Sequence, residues 1–183
     1  MLTNEIVRTD PMIGRLTADR AHVGLVDELR LFDQFVGSWD IDMTSYDNAG
    51  NPTSYAAEWH FGRILQGRAI QDVLITRSVE TGDLLGYGST VRTFDERRGL
   101  WWIVWQDPVA GEFAALLGRG EGDRIVLDGQ WTIGQARDSN ARFRWTFSDI
   151  TPETFHWEGH FSNDEGASWQ LRESMEARRR PAE

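Results

Sequence analysis

Cysteine is absent from this 183-residue chain, which excludes disulfides, thiolate nucleophiles and cysteine-based metal sites from the outset. Its absence leaves the redox compartment open. Clustered positive charge is almost as scarce. Net charge is −10, and the one basic run, Arg178-Arg179-Arg180, sits at the C-terminal end and reads as a solvated tail. Without a basic stripe, neither nucleic acid nor an anionic membrane surface is expected as a partner. Long apolar runs are missing too, and nothing approaches the roughly 18 uninterrupted apolar residues of a spanning helix. The opening "MLTNEIVRTDPMIGRLTADR" has no basic segment followed by an apolar one, so it does not read as a secretory signal, and cytoplasmic residence is expected.

What the chain does have is aromatic bulk and turn residues: nine Trp, nine Phe and 18 Gly. Residues 1–25 mix charges with isolated apolar positions around Pro11, Gly14 and Gly24, and read as a loosely held arm. In "VDELRLFDQFVGSW", Leu29, Phe32 and Val36 recur at helical spacing, with Asp27 the expected N-cap and Gly37 the expected C-cap. From there to the end the pattern has period two. "SWDIDMTSY", "SYAAEWHF", "GRAIQDVLITR", "GYGSTVRTFD", "LWWIVWQD", "EFAALLGR", "RIVLDGQWT", "ARFRWTFS", "TFHWEGHFS" and "SWQLRESME" are separated by turn segments such as "NAGNP", "ERRG", "PVAG", "GEGD", "ARDSN" and "NDEGA".

These segments predict an all-β domain of about ten antiparallel strands over residues 26–178, with 179–183 as a tail. Connections this short join hairpins rather than parallel crossovers. An open sheet of ten strands would leave long edges, so closure into an up-and-down barrel is expected, with the single N-terminal helix capping one end. A barrel of this strand number is wider than its side chains fill, so it should enclose a cavity.

Few residues carry a chemical signal. His156, Glu158 and His160 share one face of "TFHWEGHFS", but on a strand the two histidines stand about 13 Å apart at Cα, too far to share zinc unaided. They predict a salt-bridged outer surface, with Arg142, Arg144, Gln170 and Arg172 on neighbouring strands as partners. Ser162-x-Asp164-x-Gly166-x-x-Trp169 matches the Asp-box hairpin of sialidase-like proteins, a structural turn without activity. Asp40 and Asp42 lie opposite Trp39, Ile41 and Met43, on the solvent side. Neither "GYGSTV" nor "GRGEGD" completes a dinucleotide or phosphate-binding motif.

Polar residues on apolar faces are more informative. Glu173 lies in line with Trp169, Leu171 and Met175, where a desolvated carboxylate would have a raised pKa and could act as acid or base. In "GRAIQDVLI" either Gln71 or Asp72 must point inward, and Arg92 could meet an inward carboxylate or an anionic ligand group. Trp59, Phe61, Trp105 and Trp157 would line a cavity, with Tyr87 adding a polar tip. His60 falls outside by alternation, and inside if its strand carries a bulge.

Gly37-x-Trp39 directly after a short helix, followed by meandering strands, resembles the lipocalin-like (calycin) barrels. "GRAIQDVL", "YGSTVRTFD", "FRWTFSDITPETFHW" and "DEGASWQLRESMEARR" together resemble a DUF1579-like bacterial family over about residues 27–178. The resemblance implies the barrel, with Arg178 stacked over Trp39 at the closed end, and it brings no settled activity or catalytic residues. The chain departs from nitrobindin-like haem barrels, because no histidine occurs on the last strand, so neither haem nor any other cofactor is expected.

Two functions from different classes fit. The first is a cofactor-independent cyclase, isomerase or lyase enclosing a hydrophobic substrate, with Glu173 or Asp72 moving a proton and Arg92 or Tyr87 stabilising oxyanion charge. The second is a carrier or sensor that holds a hydrophobic small molecule unchanged. The several polar interruptions of the apolar faces favour the enzyme. A homodimer is compatible with either.

Overall fold

The structure, a computed structural model, describes residues 10–133 and 141–181. The expected turn "ARDSN" lies outside the described residues, as do the first nine residues of the arm and the last two of the tail. Ten strands follow two short helices, α1 (Pro11–Leu16) and α2 (Val26–Asp33). They are β1 (Gly37–Tyr46), β2 (Pro52–Ile64), β3 (Ala69–Ser78), β4 (Leu84–Asp95), β5 (Leu100–Asp107), β6 (Glu112–Glu121), β7 (Arg124–Ile133), β8 (Arg142–Ser148), β9 (Thr154–Ser162) and β10 (Gln170–Arg179). Each pairs antiparallel with its sequence neighbour, and β1 pairs with β10 from Trp39↔Arg179 to Ser45↔Glu173. The barrel is closed, so no strand edge is left to seek a partner.

Alternation places Ile41 and Met43, Trp59 and Phe61, Trp101 and Ile103, and Phe155 and Trp157 inside. The helix α2 and the residues after it close one end. Leu29, Phe32 and Phe35 are fully buried there, and each such side chain contributes about 1.5 to 3 kcal/mol. Phe32 meets Trp101 edge-on at 4.7 Å, and Phe35 lies 5.0 Å from both Phe147 and Phe155. The Trp39 indole N–H donates to the Phe35 carbonyl at 2.7 Å, tying helix to barrel. This half of the interior is filled by aromatic rings, which take up the width that ten strands leave.

Several local expectations are corrected. Leu25, not Asp27, precedes the first turn of α2, and Asp27 instead sits inside that turn, paired with Arg30 at 2.8 Å. Gln34 is the C-cap of α2, while Gly37 opens β1 with φ +129°. A Cβ there would lie 2.8 Å from the Arg179 guanidinium, so glycine makes room for that side chain. Arg179, rather than Arg178, stacks over Trp39 at 4.1 Å and donates to the carbonyls of Gln34 and Val36 at 2.6 and 2.8 Å. Arg178 points outward to Asp42 at 2.7 Å, because Arg179 is the residue that pairs across from inward-facing Trp39. The basic run is therefore no solvated tail, and Arg180 also holds Asp40 and Glu58.

The arm is also more ordered than its composition suggested. Asp10 caps α1 by accepting from the amides of Met12 and Ile13, with Pro11 in the first helical position. Downstream, Leu16, Ala18 and His22 bond to the backbone of Leu65, Arg63 and Gly67, at the β2–β3 connection.

Candidate functional site

Chain direction alternates around the barrel, so the ends of odd strands and the starts of even ones meet opposite the helix. At this open end the inward positions are small or absent: Gly86 and Gly88 on β4, Thr76 on β3 and Gly159 on β9. Rings cannot fill the space as they do at the closed end. Two cavities result, of about 320 and 430 Å³, and both are bounded by Trp105, Asp107 and Glu173. Met43, Tyr55 and Leu74 complete one wall. Phe143, Trp145 and Phe161 complete the other.

All three register shifts that the described strands show lie at this end, between Thr76 and Arg77, Phe113 and Ala114, and Leu171 and Glu173 on the reference strands. Bulges at a barrel rim re-aim side chains. On β10 the extra residue is Arg172, which keeps Glu173 inside, opposite Gly159 and Ser45, and carries Arg172 to the cavity wall. This corrects the expectation that Arg172 pairs on the outer face, and that Trp169 and Leu171 share the inward face with Glu173. Beyond the bulge the alternation reverses, and Trp169 lies outside under the Arg144 guanidinium at 4.8 Å.

Glu173 accepts no hydrogen bond and makes no ion pair among the described residues. Part of its surface is accessible, but that surface faces the cavity rather than bulk water. Desolvation first, and the Glu112 charge second, push its pKa up to about 7. Glu112, at the rim of the same cavity, is raised by burial and by Asp107. Asp107 caps the β5–β6 turn, accepting from the amides of Val109 and Ala110 at 2.7 and 2.9 Å. Arg172 donates to the Tyr46 carbonyl and to Asn48, with its guanidinium 5.9 Å from the Phe161 ring.

The other expected site residues are dispersed. Asp72, not Gln71, is the inward member of its pair, and it is ion-paired to Arg92 with both side chains at most 1% exposed. Asp72 also accepts from the Thr90 amide, and Arg92 lies between the rings of Phe32 and Phe61 at 5.2 and 5.3 Å. The pair sits in the filled half and borders neither cavity. Trp59 and Phe61 belong to the same aromatic packing, 4.9 Å apart. Trp157 lies just beneath the cavity, 5.7 Å from Trp145. Gln71 points outward and donates to Ser89. Tyr87 is on the outward phase of β4, 44% exposed, and only edges the cavity rim. His60 is outside, bonded to Ser38 at 2.9 Å and near Glu58. Of the expected residues, Glu173 and Trp105 are the two inward side chains that border both cavities.

Glu112, Asp107, Tyr55 and Trp145 went unassigned, although each had a signal. Glu112 is in phase with Ala114 and Leu116, Asp107 with Trp101, Ile103 and Trp105, and Trp145 with Phe143 and Phe147.

The histidines of β9 point away from the aromatic core, and His160 also borders the larger cavity. His156 contacts Glu176 at 2.8 Å and Glu158 at 3.3 Å, and His160 approaches Glu158 at 4.0 Å. Arg144 pairs with Asp128 instead. Among the described residues no three His, Asp or Glu side chains are grouped to hold a metal ion, and no helix is long and apolar enough to cross a membrane. The hairpin that follows is an Asp-box turn in detail. The Asp164 carboxylate accepts from the Ser162 hydroxyl and from both the amide and hydroxyl of Ser168, which holds its pKa down to about 2. Gly166 has φ +96° and packs against Trp169.

No protein-family model matches the chain, and comparison with curated protein sequences finds no match either. Solved structures do match. The crystal structure of Rv2717c from M. tuberculosis superposes with a TM-score of 0.66 at 17% identity, covering 84% of this chain and 97% of that one. The S-type phycobiliprotein lyase CPES from Guillardia theta superposes with a TM-score of 0.58 at 11% identity, covering 84% of this chain and 93% of that one. Identities this low bear on fold alone, and with the closed ten-strand topology they establish a lipocalin-like, calycin-type barrel.

Proposed function

We propose that this protein binds a hydrophobic small molecule in the open half of its barrel. The observation that carries the reading is the pair of aromatic-walled cavities meeting at Trp105 and Glu173. Their volumes fall within the range that encloses a small ligand, and their walls combine rings with a few polar groups, as such sites do. The filled half acts as a rigid floor, and the Asp72–Arg92 pair braces it. One barrel of similar fold is named a phycobiliprotein lyase, which adds support by analogy only. The same proposal includes kinship with the DUF1579-like family, on the motifs quoted above, and cytoplasmic residence. A homodimer would use the outer face on which Trp102, Val104 and Leu117 are exposed.

Glu173 favours a second reading, a cofactor-independent isomerase, lyase or cyclase. A carboxylate with a pKa near 7 is poised to take and return a proton at neutral pH. In this reading Glu173 is the acid–base group, and Asp72 and Arg92 hold the barrel's shape.

One experiment tests both. The protein is screened by thermal shift against apolar aromatic, terpenoid and fatty-acid compounds, and each hit is recovered and weighed. A ligand at 100 times its Kd adds about 2.7 kcal/mol, a rise of roughly 5 to 10 °C at this chain length. A hit recovered unchanged supports the binding protein, and one recovered with altered mass supports the enzyme. A complete absence of shifts would overturn the cavity reading.

A further inference from the structure

The polar groups of the mouth are unequal in sign and in commitment. Three carboxylates, Asp107, Glu112 and Glu173, face the larger cavity against one guanidinium, that of Arg172. Arg172 is already committed to the Tyr46 carbonyl, to Asn48 and to the Phe161 ring. Glu112 and Glu173 have no hydrogen-bonding or ionic partner among the described residues, and the charges that perturb them are other carboxylates. A barrel built for an anionic head group would need a free inward arginine. Arg92, the buried one, is neutralised by Asp72 in the opposite half.

The aromatic walls add a second, independent preference. Trp105 and Trp145 stand edge to face at 5.9 Å, with Phe143 5.5 Å from Trp145, and all three rings line the cavity beside Glu173. Ring faces attract cations through their quadrupole, and most strongly where water is excluded. Carboxylates without partners and aromatic faces together complement positive charge on an apolar body. The chain's net charge of −10 would also raise the local concentration of a cation.

Resting on the ligand-cavity reading above, we infer that the molecule held here is a hydrophobic amine, its cationic nitrogen placed between Glu173 and the Trp105–Trp145 wall. The amine satisfies the cavity-facing carboxylate that has no partner among the described residues. Binding is then coupled to protons. Below pH 7 Glu173 holds a proton, which the incoming cation must displace. The other titratable or charged groups facing this space are Asp107, Glu112, His160, Arg172, Tyr55 and Tyr87. Glu112, raised by burial and by the Asp107 charge, would add to the coupling in the same direction.

The test uses three probes on one ring system, 1-naphthylmethylamine, 1-naphthylmethanol and 1-naphthoate, titrated into the full chain by calorimetry at pH 8 and pH 5.5. The amine should bind at least about tenfold tighter than the alcohol at pH 8, the worth of one well-placed charge pair, with the carboxylate weakest. The amine-to-alcohol ratio should fall severalfold at pH 5.5. Glu173→Gln should bring the ratio at pH 8 close to one, and Glu112→Gln should lower it less, giving a second variant if the first misfolds. Binding of the alcohol or carboxylate without a preference for the amine would overturn the inference and leave the ligand cavity standing. Binding of none of the three would overturn both.

Discussion

Replacing Glu173 by glutamine should stabilise the protein, and the gain should depend on pH in one direction. An unperturbed glutamate titrates near 4.5, whereas Glu173 in the barrel titrates near 7. Between those values the unfolded chain has released this proton and the folded chain keeps it. The folded state binds more protons, so stability falls as pH rises through this window, and the full loss is present above pH 7. The interval corresponds to about 3 kcal/mol, an upper bound because the cavity mouth admits some solvent. Glutamine keeps the shape, cannot ionise and avoids the penalty. Its melting temperature should match the parent near pH 4.5 and exceed it by roughly 5 to 10 °C at pH 8. Differential scanning calorimetry at half-unit pH steps would trace the difference, with Glu80→Gln, on an exposed turn, as the control. A gain of equal size at every pH, or one that grows toward acid, would refute the burial of Glu173 in a poorly solvated cavity.

The buried pair at the closed end should behave in the opposite sense. Asp72→Asn leaves the Arg92 charge at most 1% exposed and without its counter-ion, and should cost about 3 to 5 kcal/mol in urea denaturation. A loss under 1 kcal/mol would mean that the pair is not sealed. Gly88→Ala sets a methyl group against the Trp105 ring, well inside van der Waals contact, and must displace that ring. Ligand-induced thermal shifts should then shrink or vanish while far-ultraviolet circular dichroism keeps its β-sheet form. Unchanged shifts would show that Trp105 does not wall the binding space.

Much of this architecture was legible because it is local. The segments "LWWIVWQD" and "TFHWEGHFS" are β5 and β9 to the residue, since period-two alternation between Gly- and Asp-rich turns leaves little choice of boundary. The Asp-box hairpin was equally readable, because its bonds join residues at most four apart. Glu173 was found from alternation with Met175, one residue inside a bulge that breaks the pattern beyond it. Arg172 was misplaced for the same reason. The extra residue leaves little mark on hydrophobic periodicity because Arg172, Glu173 and Ser174 are three polar residues in a row.

The division of the interior was a different kind of question. Trp59, Phe61, Trp105 and Trp157 are all inward aromatics, and nothing in their sequence distinguishes a ring that packs the floor from one that walls a cavity. That depends on which end the helix covers, and on register between residues far apart, such as Trp39 with Arg179 and Ser45 with Glu173. Asp72 and Arg92, 20 residues apart, look like a catalytic acid and an oxyanion partner until the barrel closes and turns each into the other's counter-ion. By itself the sequence determined the ten strands, their hairpins and the closed barrel, because alternation and turn chemistry act between neighbours. Only the tertiary structure decided which half is filled and where Glu173 stands without a partner, because those are properties of side chains that meet across the whole width of the barrel.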